Sequence, residues 1–344
     1  MREMKVTAKT IAKQLNMSTA TVDRVLHNRG GVSPKTAKKV LDKAKELNYK
    51  PNKSASFLAK KKSIQVACVF PEYPEYFWEE IEGGIKTTLE DIKDYGFHVD
   101  ILKTPHTIHK QVEVVENIIQ SQKYDGLVIC PTDGVPLAKI IESGINNDFP
   151  IFTFNNDSPS SKRISYVGAD YNDAGRLAGE LAVKLTGTSK KFAIITDEAD
   201  TFQMKQKRRG FEAFALENKQ VEFVKMLKLD NQHMDVSLQK IKQNILDVDG
   251  IYVACGALDE VAKIVKEIET DKPVLIGHDM SEAIYQQLQN DIVAATICQD
   301  PLYQGSLAIR LAFNYLMLEK YPEKQDNIVK LEIVTKGNAK YYLK

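Results

Sequence analysis

Two stretches of the chain rhyme: "YDGLVICP", Tyr124–Pro131, and "VDGIYVAC", Val248–Cys255. Each sets Asp-Gly in front of a short apolar run bounded by polar residues, the pattern of a buried strand. The spacing repeats as well: 25 residues separate Asp125 from Pro150, and 24 separate Asp249 from Pro273. Outward from the first stretch lie the strand-like "SIQVACVF", "FHVDIL" and "FPIFTFNN", with helical patterns such as "EVVENIIQSQ" and "LAKIIESGI" between them. Outward from the second lie "KFAIITD", "VEFVKML" and "KPVLIGHD". Short β-branched runs alternating with helical stretches predict parallel α/β layers. Two matching sets predict two similar lobes, with a ligand cleft beyond the carboxyl ends of their strands.

At 344 residues the chain exceeds one small core, and its 43% hydrophobic and 27% charged content is that of a globular protein. No apolar run reaches the ~18 residues that span a bilayer. The opening "MREMKVTAKTIAKQL" lacks the apolar centre of a secretory signal, so a cytoplasmic protein with no membrane association is expected. Cys68, Cys130, Cys255 and Cys298 lie in or beside apolar runs without metal-ligand spacing. Buried free thiols are therefore expected, with no metal and no cofactor.

The net charge of +1 hides an uneven distribution. Residues 1–62 carry 16 Lys/Arg against 4 Asp/Glu, and the remainder carries 31 against 42. A small basic module on a large acidic body is an electrostatic footprint for nucleic acid. The module has the periodicity of three helices. Thr7 suits an N-cap before a helix at about 8–15, with Ile11, Ala12 and Leu15 as its apolar stripe. Ser18 suits the next cap; Val22, Val25 and Leu26 then point inward, leaving Thr19, Ala20, Asp23, Arg24 and His27 on the outer face. Ser33-Pro34 starts a third helix, with Val40, Leu41, Ala44 and Leu47 expected to be buried. Two helices joined by a tight turn and closed by a third predict a helix-turn-helix headpiece at 1–50.

The strings "VTAKTIAKQLNMSTATVDRVL", "VSPKTAKKVLDKAKELNYKPN" and "SASFLA" resemble the headpiece and hinge of the lactose/galactose repressor (LacI/GalR) family over some 60 residues. The resemblance implies that Thr19, Ala20 and Arg24 occupy base- and phosphate-contacting positions. Thr7, Ser18, Thr21, Asp23 and His27 complete the expected DNA-facing set of the headpiece. The resemblance also implies a hinge at 51–62, with Asn52, Lys53 and Ser54 near DNA and Leu58 wedging the minor groove. Position 23 departs from the small hydroxyl residue usual in the family. Two readings of Asp23 stand side by side: it accepts from cytosine N4, or it orients Arg24 and His27.

The remainder, 63–344, resembles the family's effector domain, shared with periplasmic ribose-type sugar-binding proteins. This implies lobe 1 at about 63–161 and 293–321, lobe 2 at about 162–292 and 322–344, and three crossings between them. Strand ends carry the expected effector contacts. Phe77 and Trp78, beside Glu75, suit stacking on a sugar ring; Asn155, Asn156, Asp279 and Gln299 suit its hydroxyls; Asp170 suits either a ligand or a helix cap. Where the family has arginine this chain has Lys207, and where relatives carry Asn-Asp it has "CGALDE", leaving Asp259 as the stand-in. Lys205, Lys207 and Arg208 extend the expected sugar-like effector to an anionic one.

The expected function is a homodimeric, sequence-specific transcriptional regulator of the repressor kind. It would read a near-palindromic operator under effector control, with induction and corepression both open. A sugar-binding protein without a regulatory role and a sugar-processing α/β enzyme are the alternatives. Against an enzyme, the sequence has no Gly-rich phosphate loop, nucleophile elbow or metal-binding cluster, and His278 reads as a packed strand-end residue.

Overall fold

A computed structural model describes residues 6–26, 30–47, 49, 63–105, 108–132, 134–187, 190–198, 201–219, 221–231 and 233–343. The expected hinge at 51–62, with Asn52, Lys53, Ser54 and Leu58, lies outside the described residues, as does His27. The chain divides into two compact units: residues 1–63 with the turn at 94–96, and residues 64–93 with 97–344.

The first unit holds α1 (Ala8–Leu15), α2 (Thr19–Leu26) and α3 (Pro34–Glu46). Thr7 caps α1, accepting from the Thr10 N–H, while the Thr10 hydroxyl accepts from the Thr7 N–H. Asn16 closes α1 in the left-handed region (φ 51°), which frees the chain to turn at once. Ser18 accepts from the Thr21 N–H at the start of α2, and Ser33 from the Thr36 N–H at the start of α3. Ile11, Ala12, Val22, Val25, Val40 and Ala44 form the core. Leu41, expected in that stripe, is 53% exposed. One residue past Val40 is a rotation of about 100°, which carries Leu41 out of the seam.

The second unit is two α/β lobes. The first sheet is ordered β11-β5-β4-β3-β1-β2: Asp326–Ile328, Tyr166–Gly168, Ile151–Phe154, Gly126–Ile129, Ile64–Pro71 and Phe97–Thr104. The second is ordered β12-β10-β9-β8-β6-β7: Glu332–Val334, Val293–Cys298, Val274–His278, Gly250–Val253, Lys190–Asp197 and Val221–Leu229. All these pairings are parallel except β10 with β12, where the chain comes back from β11 in the other sheet. The rhyming Asp-Gly pairs do matching work. Asp125 accepts from the Gln65 N–H (2.7 Å) and Asp249 from the Lys191 N–H (2.8 Å), each tying a strand to the head of its neighbour.

The helices that bear on the site are α4 (Glu75–Ile92), α7 (Tyr171–Thr186), α8 (Phe202–Asn218), α10 (Leu258–Lys266) and α12 (Pro301–Leu318). The first lobe also holds α5 (Ile108–Gln120) and α6 (Gly134–Asn146), and the second holds α9 (Met234–Asn244) and α11 (Glu282–Gln289). In each lobe one helix pair crosses at glycine. A Cβ on Gly84 of α4 would lie 1.9 Å from the Leu302 carbonyl of α12, and one on Gly175 of α7 would lie 1.9 Å from the Lys207 carbonyl of α8.

The crossings expected near 161, 293 and 322 each fall later. β5 still belongs to the first sheet, β10 to the second and β11 to the first, so the chain crosses after Gly168, Cys298 and Ile328. An ion cluster explains the first and third shifts. Arg163 donates to both Asp157 oxygens (2.6 and 2.7 Å) and to Asp326 (2.7 Å), which clamps the approach to β5 and the returning β11 onto one lobe.

Candidate functional site

Between the lobes, at the carboxyl ends of the strands, lies a narrow cleft that leaves about 60 Å³ for the centre of a water-sized molecule. The lobes line it differently. From the first come Tyr73, Pro74, Phe77, Trp78 and Asn155; from the second, Asp197, Gln203, Met204, Lys207, Asn231, Cys255, Gly256, Ala257 and Asp279, with Gln299 at the crossing.

The aromatic wall is built by β1 and α4. Trp78 stacks on Phe70 (centroids 5.1 Å apart, 18° between planes), meets Phe154 edge-on and donates its indole N–H to the Tyr73 carbonyl (3.1 Å). Phe77 packs edge-on against Trp78 at 5.1 Å. Both rings are 4% exposed, so the neighbouring carboxylates did not prevent their burial. Glu75, two residues before the pair, points to solvent and does not line the cleft.

The floor is a hydrogen-bonded chain across the crossing. Gln299 donates to Asp279 Oδ1 (2.9 Å), while its own Oε1 lies 3.0 Å from the Tyr171 hydroxyl. That hydroxyl also faces the Asn155 carbonyl at 2.7 Å, and one proton is shared between the two acceptors. Gln304 of α12 donates to the Gln299 carbonyl (2.8 Å) and accepts from Asn155 Nδ2 (3.3 Å). Asn155 and Asp279 hold positive φ (57° and 66°), a conformation asparagine and aspartate tolerate better than most residues. Asn156 is spent on structure: it donates to the Pro131 carbonyl, accepts from the Gln203 N–H (3.1 Å) and does not line the cleft.

Lys207 is the cation of the cleft among the described residues. It is 2% exposed, donates to the Ala254 carbonyl (2.9 Å) and lies 5.4 Å over the Tyr171 ring. Burial holds its ammonium below the ordinary lysine range, against the pull of Asp279, Cys255 and Asp197. Burial pushes the Asp279 carboxyl up, against Lys207 and Gln299. Both shifts mark a site that holds opposite charges away from water. His278 is buried, with Nε2 2.7 Å from the Tyr252 hydroxyl; burial and then Lys207 keep it neutral, as suits a packed strand-end residue. The four cysteines are free and buried, and burial pushes the Cys130 and Cys255 thiols up to about 12.

Besides Glu75 and Asn156, two further effector candidates and one charge cluster do not reach the cleft. Asp170 caps α7, accepting from the Asn172 and Asp173 N–H groups, and points away from the cleft. Asp259 pairs with Lys263 and accepts from Gln287 on the outside of α10, so it is no stand-in for a cleft carboxylate. The Lys205–Lys207–Arg208 cluster does not form: Arg208 reaches Met226 and Glu212, and of the three only Lys207 lines the cleft. Asp197, Tyr171 and Tyr73 went unread, and the turn at 255–257 was read only for Asp259. Asp197 ends "KFAIITD" as Asp279 ends "VLIGHD", so the same strand-end reasoning applies to it; Asn231 leaves a loop with no comparable signal.

In the headpiece, Thr19, Ala20 and Arg24 are exposed on one face of α2, and Val22 and Val25 are buried on the other. Thr7 and Ser18 serve as caps, and Thr21 is half-buried with its hydroxyl on Ser18. Asp23 is half-buried, and its charge, after burial, raises the Tyr49 hydroxyl.

Residues 66–320 match the family described as periplasmic binding protein domain. The chain belongs to this family. Residues 7–52 match bacterial regulatory proteins, lacI family, so a LacI-type helix-turn-helix domain precedes the binding-protein body. Catabolite control protein A of Staphylococcus aureus is 28% identical over 197 residues, covering 57% of this chain and 56% of the relative. The counterpart from Staphylococcus xylosus is 28% identical over 193 residues, 56% of each. The chain thus spans about half the length of the curated relatives it matches. Among solved structures, a putative LacI transcriptional regulator from Bacteroides fragilis superposes with a TM-score of 0.75 at 19% identity, over 82% of this chain and 100% of that one. A solute-binding protein from Burkholderia graminis in complex with D-arabinose gives 0.73 at 21%, over 82% and 99%. At such identities the superpositions establish the two-lobed fold. No helix among the described residues is long and apolar enough to cross a membrane.

Proposed function

We propose that this chain is a DNA-binding transcriptional regulator whose operator affinity is set by a small, neutral, sugar-like polyol held between its lobes. The observation that carries the ligand class is the split chemistry of the cleft. Phe77 and Trp78 offer an apolar wall, and Asp279, Asp197 and Lys207 offer two acceptors and a donor. A pyranose or furanose has one C–H face and a rim of hydroxyls, which matches both. With two carboxylates beside one lysine among the described residues, a phosphorylated or acidic sugar meets net repulsion.

The headpiece supplies the other half of the reading. The exposed face of α2, with Thr19, Ala20 and Arg24, is the surface that enters the major groove, while Thr7, Ser18 and Thr21 fix the helix ends near phosphate. One such helix makes few base contacts, so two headpieces on a homodimer read a near-palindromic operator in the cytoplasm, where the DNA is. The ligand shifts DNA affinity only to the extent that it binds two lobe arrangements differently. The matched regulatory family supports a role without catalysis.

Fluorescence anisotropy on operators recovered by binding-site selection, with and without neutral sugars, tests the whole. Sequence-specific binding that a sugar weakens or strengthens is the expected outcome. Sugar binding without specific DNA binding would make this a binding protein with no regulatory role.

A further inference from the structure

The turn "CGALDE" (Cys255–Glu260), where relatives carry Asn-Asp, adds no polar side chain of its own to the cleft beyond a buried thiol. It touches the opposite lobe instead. A Cβ built on Gly256 would lie 2.8 Å from Cγ and 3.2 Å from Cδ of Pro74. One residue earlier, the Tyr73 hydroxyl donates to Glu260 Oε1 of α10 across the same mouth (3.2 Å). One turn later, Tyr76 packs against the core of the second lobe. On the far side of the cleft, Asn156 Oδ1 of the first lobe accepts from the Gln203 N–H of the second. The 73–78 segment therefore carries both the aromatic ligand wall, Phe77 and Trp78, and a set of cross-lobe contacts, with Trp78 holding the Tyr73 carbonyl between them.

We propose that Tyr73 and Pro74, meeting Glu260 and Gly256, form a latch that holds the lobes closed and governs ligand release. Gly256 is the residue that permits it: with no Cβ, the turn lets the pyrrolidine of Pro74 seat directly on backbone. Glu260 supplies a charged acceptor, and the Tyr73 hydroxyl stays a donor because burial and Glu260 both hold its proton. Tyr73 and Gly256 act as positioning residues, closing the cleft on a ligand that the second lobe grips.

The latch rests on the two-lobed cleft, and its action on release rests also on the proposed sugar, so the test has a ligand-free arm. Dyes on cysteines introduced by Lys86→Cys and Lys240→Cys report the inter-lobe distance by single-pair energy transfer in the full chain. Tyr73→Phe removes only the hydroxyl, and Gly256→Ala inserts a methyl between the lobes. Both are expected to enlarge the open population, while Glu260→Gln, which keeps an acceptor but loses its charge, falls between the parent and Tyr73→Phe. Losing a hydrogen bond to a charged group predicts about a tenfold shift in the open-to-closed ratio for Tyr73→Phe. Unchanged distances in both Tyr73→Phe and Gly256→Ala overturn the latch; a response to Gly256→Ala alone overturns the part played by the hydrogen bond. In the second arm, D-ribose, D-arabinose and D-glucose are added to the parent. If none binds, the sugar reading fails and the distances still decide the latch. If one binds, faster release from Tyr73→Phe with an unchanged association rate supports the latch, and an unchanged release rate overturns it.

Discussion

Adjacent glycines in α4 are expected to respond to the same substitution in opposite directions. A Cβ on Gly83 has nothing within 4 Å, whereas one on Gly84 would lie 1.9 Å from the Leu302 carbonyl and 2.8 Å from the Ser306 nitrogen. In a helix interior, Gly→Ala gains about 1 kcal/mol from propensity alone, and Gly83→Ala keeps all of it. Gly84→Ala gains the same but places a carbon about 1.5 Å inside ordinary contact with backbone. Overpacking of this kind costs about 1–3 kcal/mol. The contact is to backbone that Thr88 also pins through the Ser306 carbonyl and hydroxyl. The upper end therefore applies, for a net loss of about 2 kcal/mol and a gap between the variants of about 3 kcal/mol. The single tryptophan, Trp78, lies in this helix and reports its lobe. With a urea slope of about 3 kcal/mol/M, the two fluorescence midpoints should stand about 1 M apart, on either side of the parent. Midpoints within about 0.3 M of each other would refute the crossing geometry.

Lys207→Met should lower sugar affinity more than tenfold while the chain stays folded, measured by calorimetry; unchanged affinity removes Lys207 from the site. The lowered lysine predicts a direction with pH. In the window between its folded value and the ordinary 10.5, the unfolded chain binds more protons, so stability contributed by this residue rises with pH. Urea midpoints of the parent and Lys207→Met, compared from pH 7 to 10, should converge as pH rises, and parallel curves would contradict that. Asp249 has the same sign in the acid range. The Lys191 N–H and the Lys190 ammonium hold its carboxyl below the usual range, so its contribution is lost as pH falls through that lowered value, and Asp249→Asn should flatten the acid limb. Asp23→Ser should alter base preference at one operator step in a binding-site selection; an unchanged preference leaves Asp23 only the role of orienting Arg24 and His27.

The sequence by itself determined the elements and their rough chemistry. Strand-sized apolar runs, the two Asp-Gly signals and the caps at Thr7, Ser18 and Ser33 act within a few residues or one strand pairing, so they are readable in order along the chain. Strand-end polar groups such as Asp279 and Gln299 were legible for the same reason. Tertiary structure decided which lobe each crossing strand joined, because the Arg163–Asp157–Asp326 cluster unites residues about 160 apart. It also decided which charges reached the cleft. A rotation of 100° per residue separates Lys207 from Arg208, and side-chain partners turned Asp170 and Asp259 away from the ligand space. Gly256 shows the limit most plainly: its meaning lies in Pro74, 182 positions away and on the other lobe, and no local pattern records a contact made only when two lobes meet.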